Sequence, residues 1–356
     1  MRNELMQDLV RDQGLSPKKL KIAIDTGKAL TKSLYKDATG REICDKFPSA
    51  IGIVSGNVSF NKEKPFRCSL LPGEYYIDAP GLCNITTTND NEKNGAGQSI
   101  SADNHDREIV TLGACLSIVK AMKALNTQYA IVDVAIGMPI TEYLSNKDKG
   151  QYFQSILPVG KPVRCNYGGN TYIFTVNRFK VCPETLSAFV ANSGNEKGNL
   201  ILVDIGGNNI QFICSNGGNI DFDPTKTFTD KGGVNSFARK LAVLMKQKQI
   251  EPVGAFNEIM GWLEKPKTIP ASFGDAWKER FTDLVRAQKA AYYATINKAF
   301  DPIHGIYSDE ISRGYKIYYT GGGSLLLKDE IKADPAAQVF DGGEYANVKG
   351  FYKLLR

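Results

Sequence analysis

NLILVDIGGNNIQFI, residues 199–213, is the stretch on which the reading of this chain turns. Its first apolar run, Leu200–Val203, ends at one carboxylate, Asp204. Gly206, Gly207, Asn208 and Asn209 follow, and a second apolar run begins at Ile210. The pattern predicts strand, tight turn, strand, with an acid at the tip of the first strand. A related phrase, KIAIDTG at residues 21–27, sets Asp25 before Thr26 and Gly27. Glycine turns expose successive backbone N–H groups, which can cradle phosphate oxygens at close approach. An Asp at each strand tip suits Mg2+, which takes one or two carboxylates together with phosphate and water. One such turn is ordinary hairpin chemistry. Two, each after a buried strand and half a chain apart, point to a Mg-nucleotide held between two lobes.

Composition sets the frame. The 356 residues suffice for two domains of ordinary size. With 42% hydrophobic and 23% charged residues the chain reads as a soluble globular protein. No apolar run approaches the roughly 18 residues of a membrane-spanning helix. The start, MRNELMQDLVRDQG, lacks the apolar core of a secretory signal, so a cytoplasmic location is expected. Cysteines 44, 68, 83, 115, 165, 182 and 214 include no C-x-x-C pair, and the two histidines are far apart. A zinc site or disulfide framework is therefore disfavoured, and free thiols in a reducing compartment are expected. A net charge of +6 neither requires nor excludes nucleic acid.

Periodicity then orders the chain. Residues 1–20 read as an extension with a short helical face at Leu5 and Leu9. Strands are expected at Lys21–Asp25, Ala29–Tyr35, Glu42–Pro48, Ile51–Val54 and Glu74–Ile77, with a polar surface loop over 84–104. A helix follows to about Leu125, its apolar face carrying Ile109, Leu112, Leu116, Val119 and Met122. Tyr129–Met138 is a buried strand, with further β segments near 153–159 and 171–182. Pro183-Glu184-Thr185 opens a short helix, and a Gly/Asn linker at 193–199 is the clearest domain boundary. Beyond the opening hairpin come a short strand at 220–223 and helices to Met245, at 254–264 and at 273–299. A strand at Lys316–Tyr319 and a helix at Ser324–Ile331 follow. A strand at 338–340 and a helix at 346–355 close the chain.

Gly321-Gly322-Gly323 lies between a strand and a helix, a junction that lets backbone approach a phosphate or nucleoside. Gly232-Gly233, at another helix start, reads the same way more weakly. Neither G-x-G-x-x-G nor G-x-x-x-x-G-K-[ST] occurs, which disfavours a Rossmann dehydrogenase or a P-loop NTPase.

Three blocks, KIAIDTGKALTK (21–32), NLILVDIGGNNIQF and YYTGGGSLLL (318–327), resemble the phosphate-1, phosphate-2 and adenosine motifs of the actin superfamily. VDVAIGMPITEY (132–143), VCPETLSAF (181–189) and the tail FDGGEYANVKGFYKLL (340–355) are similar to phrases of the plasmid-segregation actins, the ParM group. The resemblance spans residues 20–356. It implies an α/β fold of the actin-like, duplicated ribonuclease H-like kind: a two-lobed ATPase with nucleotide in the interlobe cleft. Lobe I would comprise 21–192 and 336–356, and lobe II 193–335.

Carried over, Asp25 and Asp204 match the acids that bind Mg2+ through water. Thr26, Gly27, Lys28, Lys32, Gly206, Gly207 and Asn208 match the phosphate-facing turns, and Gly232, Gly233, Gly321, Gly322 and Gly323 the nucleoside pocket. Glu184 matches the glutamate that orients the attacking water, with Gln211 assisting. From the residues alone, Glu184 suits equally a helix N-terminal acid complementing the dipole. Lys28, Asn208, Asn209 and Gln211 depart from the residues usual in the family.

The resemblance implies ATP, or GTP, with Mg2+ as cofactors and hydrolysis coupled to polymerisation. The expected partners are further copies of the chain and an adaptor of the ParR type bound to centromere-like plasmid DNA. Direct sequence-specific DNA binding and membrane contact are not expected. The alternative is a small-molecule kinase of the same superfamily, with Asp230 or Asp133 as the base acting on the acceptor hydroxyl.

Overall fold

The computed structural model describes residues 16–27, 30–49, 51–53, 65–77, 104–145, 155–192, 198–217, 219–221, 223, 225–247, 259, 262–263, 275–340 and 342–355. Within it the chain forms two compact units, 1–191 with 347–356, and 192–346. The return into the first unit therefore falls at Asn347 rather than at 336. The reason lies in the last strand, Ala337–Val339, which pairs with Lys316–Thr320 and keeps residues up to 346 in the second unit.

The first unit opens with an antiparallel run: β1 (Lys18–Thr26), β2 (Leu30–Lys36) and β3 (Glu42–Pro48). β4 (Ile51–Ile53), β5 (Phe66–Cys68) and β6 (Leu71–Ile77) follow, then helix α1 (Asn104–Ala124), strand β7 (Tyr129–Met138) and helix α2 (Ile140–Ser145). β8 (Pro162–Tyr167) and β9 (Asn170–Pro183) form a hairpin before α3 (Leu186–Asn192). The sheet runs β3-β2-β1-β7-β9-β8-β5-β6-β4, with β1, β7 and β9 parallel at its centre. Central parallel strands are covered on both faces and so read as apolar runs. Ile22, Ala23 and Ile24 of β1 and Val132, Val134 and Ile136 of β7 are accordingly buried.

The second unit is built on β10 (Leu200–Ile205) and β11 (Ile210–Asn216), followed by β12 (Asn219–Asp221) and β13 (Phe228–Asp230). Helices α4 (Val234–Gln247), α5 (Asp275–Asn297) and α6 (Ser308–Ser312) come next. β14 (Lys316–Thr320), α7 (Gly322–Leu326), α8 (Lys328–Ala333) and β15 (Ala337–Val339) complete it, and α9 (Ala346–Leu354) carries the chain back. Its sheet runs β12-β11-β10-β14-β15, with β13 also on β11. α4 is amphipathic, burying Phe237, Ala238, Leu241 and Met245. Phe237, Leu241 and Met245 each contribute roughly 1.5–3 kcal/mol by their burial.

Several expectations are corrected. α1 is enclosed all round from Val110 to Val119 rather than along one face, which is why its apolar residues show little helical asymmetry. Near 153–159 there is no strand among the described residues: 155–156 are helical, and Val159 makes only an isolated bridge to Val176. The helix expected at Ser324–Ile331 is two, because the chain turns at Leu327 between α7 and α8. The helical leader at Leu5 and Leu9, the loop over 84–104 and most of the helix at 254–264 lie outside the described residues.

Candidate functional site

The first unit's contribution begins at the tip of β1. Its parallel pairing with β7 stops at Ile24, while its antiparallel pairing with β2 continues through Asp25 and Thr26. The last two residues thus leave the ladder with β7, which itself runs on to Met138 against β9. Asp25 is 5% exposed and lies directly across from Lys32, whose Nζ is 3.8 Å from Asp25 Oδ2. Such a pair is Coulombic rather than a hydrogen bond, leaving the ammonium free to turn toward another anion. The Gly27 carbonyl accepts from Ser49 Oγ, and Ser49 also shares a 2.9 Å hydrogen bond with Thr31 Oγ1. A Cβ on Gly27 would come 2.9 Å from the Leu30 carbonyl, so the turn is too tight for a side chain there. Thr26 Oγ1 is buried without a hydrogen-bond partner among the described residues. Lys28 lies outside them.

Glu184 sits in the same unit, just past the end of β9. Its N–H donates to the Met138 carbonyl at 2.8 Å, holding it beside the end of β7. The next residue, Thr185, has φ 61°, an uncommon conformation for a β-branched side chain. Asn347 Oδ1 accepts the Thr185 N–H at 2.8 Å, so the start of α9 fixes this strained corner. Glu184 is 8% exposed and its Cγ lies near Gly137, where an added Cβ would also meet the Phe351 ring. Strained residues that persist beside a buried acid are a recurring mark of functional sites.

The second unit repeats the arrangement with different supports. Asp204, also 5% exposed, is flanked in one row of the sheet by Gln211 on β11 and Thr320 on β14, and Gln211 pairs onward with Thr229. Thr320 Oγ1 is buried and unpartnered among the described residues. The turn closes by Gly206 N–H donating to the Asn209 carbonyl at 2.9 Å. The start of α4 then docks on it. Gly233, Val234 and Asn235 N–H groups donate to the carbonyls of Asn208, Gly206 and Gly207 at 2.9, 3.0 and 2.7 Å. Asn235 Nδ2 donates to Asn208 Oδ1, while Asn235 Oδ1 is buried without a partner among the described residues. A Cβ at Gly233 would lie 2.5 Å from the Gly207 carbonyl, which gives this glycine a packing reason of its own. The Gly232 carbonyl accepts from Tyr292 OH.

Gly321 follows β14 with φ 82°, and an added Cβ would overlap Asp204 Oδ1 and the Ile205 carbonyl. Gly323 would press on Ile205, whereas Gly322 faces open space. The glycine run therefore lets β10 and α7 close on Asp204. Each unit thus carries a buried carboxylate at a glycine turn, Asp25 across from Lys32 and Asp204 in one row with Gln211 and Thr320, and each such turn suits a ligand rich in oxygen and a hard cation held by carboxylate and water.

Sequence reasoning missed Ser49, Asn235, Thr320 and Asn347. Thr320 and Asn347 stood inside quoted phrases, TGGG and ANVKG. Ser49 and Asn235 are ordinary polar residues that only tertiary packing brings to the turns. Of the two acids proposed for a kinase base, Asp133 is engaged by Asn177 Nδ2 at 2.9 Å and Arg178 Nη2 at 2.7 Å, and Asp230 is exposed on β13.

Residues 23–186 match the family described as actin-like proteins, N-terminal domain. No curated protein sequence matches the chain. Among solved structures, Bacillus thuringiensis ParM with ATP is 15% identical, with 95% of this chain and 98% of that one covered at a TM-score of 0.65. AlfA from the B. subtilis plasmid pLS32, in a filament structure, is 17% identical over 93% and 97% of the two chains, at 0.57. Alp12, also in a filament structure, is 16% identical over 95% and 98%, at 0.62. Residues 23–186 thus match the N-terminal domain of the actin-like proteins, and the chain has the two-lobed actin-like α/β fold over nearly its whole length.

Proposed function

We propose that this chain is an ATPase whose nucleotide state governs its assembly into filaments, which segregate plasmid DNA through an adaptor protein. The observation that carries this reading is the paired construction just described: a buried Asp on a glycine turn in each unit, Asp25 across from Lys32 and Asp204 in one row with Gln211 and Thr320. It is supported by the company of the fold. The similar structures include ParM with ATP, with ADP and with AMPPNP, and the filaments of AlfA and Alp12.

In this reading Asp25 and Asp204 hold Mg2+ through its waters. Thr26, Gly27, Lys28, Lys32, Gly206, Gly207 and Asn208 face the phosphates. Gly321, Gly322 and Gly323, with Gly232 and Gly233, accommodate the nucleoside, as ATP or GTP. Magnesium, when bound, neutralises phosphate charge and so eases attack on phosphorus. The Glu184 carboxylate accepts a hydrogen bond from the attacking water and orients it, and Gln211, one strand from Asp204, assists. Nucleotide state would alter the contacts between subunits of the filament. The adaptor would be of the ParR type on centromere-like DNA, leaving the chain itself without direct base contacts, and the setting would be cytoplasmic.

Light scattering and sedimentation after addition of Mg-ATP test the filament. Assembly that depends on protein concentration and nucleotide is expected; a chain that stays monomeric at every concentration tried sinks the proposal. Glu184→Ala should bind ATP and assemble while hydrolysis falls by about 10²-fold or more. Loss of ATP binding in that variant would assign Glu184 to support of the fold instead.

A further inference from the structure

Cys68, Cys115 and Cys165 stand far apart in the sequence and meet inside the first unit. Cys68 on β5 and Cys165 on β8 are directly opposed in an antiparallel pair, and Cys115 comes from α1. The three sulfurs all lie within 4.8 Å of one another, with Cys68 Sγ and Cys115 Sγ 3.5 Å apart. All three residues are buried. Thiolates on one ion at a metal–sulfur distance of about 2.3 Å would be about 3.8–4.0 Å apart, so the cluster is close to a ligand set already.

Buried cysteines often serve only as small hydrophobes, and the surroundings of Cys68 separate this cluster from that role. Its sulfur shares a 3.5 Å contact with the Cys115 sulfur, lies within 4.8 Å of the Cys165 sulfur, and faces the backbone N–H groups of Leu70 and Leu71. Donors aimed at one sulfur are what orients a metal-ligating thiolate.

We propose that Cys68, Cys115 and Cys165 bind one divalent d10 cation of the Zn2+ class through three thiolates. Binding releases the thiol protons, so the three thiolates and a divalent ion leave one net negative charge, met in part by the Leu70 and Leu71 N–H groups. A monovalent soft ion would leave two such charges in a buried site, at greater cost. A d10 ion imposes no preferred geometry of its own, so three sulfur donors suffice to hold it. The bound ion would tie β5, β8 and α1 together. The spacing hides this site, since Cys68 and Cys115 are 47 residues apart and no short motif joins them.

The test uses the full chain, reduced and stripped by a chelator. Zn2+ is titrated against a chromophoric chelator, and Cd2+ by the near-ultraviolet charge transfer that counts its thiolates. One equivalent, a three-thiolate signal and a raised Tm are expected. Cys68→Ser, Cys115→Ser and Cys165→Ser should each weaken Zn2+ binding by more than the about 10–100-fold cost of losing an outer-shell partner. Cys182→Ser, a buried thiol outside the cluster, should leave it unchanged, with circular dichroism reporting the fold of each variant. A wild-type chain that takes up no equivalent, or an equivalent that persists in all three cluster variants, overturns the proposal.

Discussion

Gly321 and Gly322 are chemically identical neighbours with opposite demands on them. Gly321 has φ 82° and leaves no room for a Cβ beside Asp204 Oδ1, whereas Gly322 has nothing within 4 Å. Gly321→Ala should therefore cost about 1–3 kcal/mol in backbone strain before any displacement of Asp204 is counted. Gly322→Ala should leave stability unchanged or raise it by up to about 1 kcal/mol, because the unfolded chain loses freedom. Urea unfolding of the two variants checks the contrast, and equal losses would refute it. Asn347 makes a similar case. Removing its side chain leaves the buried Thr185 N–H without its acceptor, at a cost of about 1–3 kcal/mol. Asn347→Ala should also slow hydrolysis with little change in nucleotide affinity, since Thr185 sets the position of Glu184.

Among the elements, the two helices at the chain crossings meet at one tight backbone point. A Cβ on Gly350 of α9 would overlap the Ser187 carbonyl of α3, so the helices touch backbone to backbone at that point. Gly350→Ala must push them apart and should cost about 1–3 kcal/mol or more, visible as a lower Tm. A Tm at the wild-type value would mean that α9 shifts freely. This contact was not legible in the sequence, where Gly350 reads only as a weak point in a helix. What was legible follows from local physics. Alternating or continuous apolar runs marked β1, β7, β10 and β14 to within a few residues, because burial on a sheet writes itself into every residue of a strand. The acids at 25 and 204 were visible for the same reason, each ending such a run. The failures are of the opposite kind. Of the run expected as a strand near 153–159, residues 155–156 are helical and Val159 makes an isolated bridge, and α6 is too short to show a period. Asn235 and Ser49 reach the turns through contacts that no local pattern encodes.

At the scale of the whole molecule, the proposed function makes one demand that neither unit meets alone: both Asp-tipped turns must serve the same nucleotide. Binding to the native state alone stabilises by mass action, by about 2.7 kcal/mol at a ligand concentration one hundred times Kd. If one ligand engages both turns, that stabilisation must register in both units and vanish from both when either acid is lost. Hydrogen exchange reads this directly, since it resolves local opening element by element. Mg-ATP should slow exchange in the β1–β2 region of the first unit and in the β10–β11 region of the second together. Asp204→Asn, altered only in the second unit, should remove the protection of β1 and β2 as well, and Asp25→Asn should do the converse. Protection that survives in the unaltered unit would show two independent sites, and the coupling of nucleotide state to assembly would then need another origin than a shared ligand.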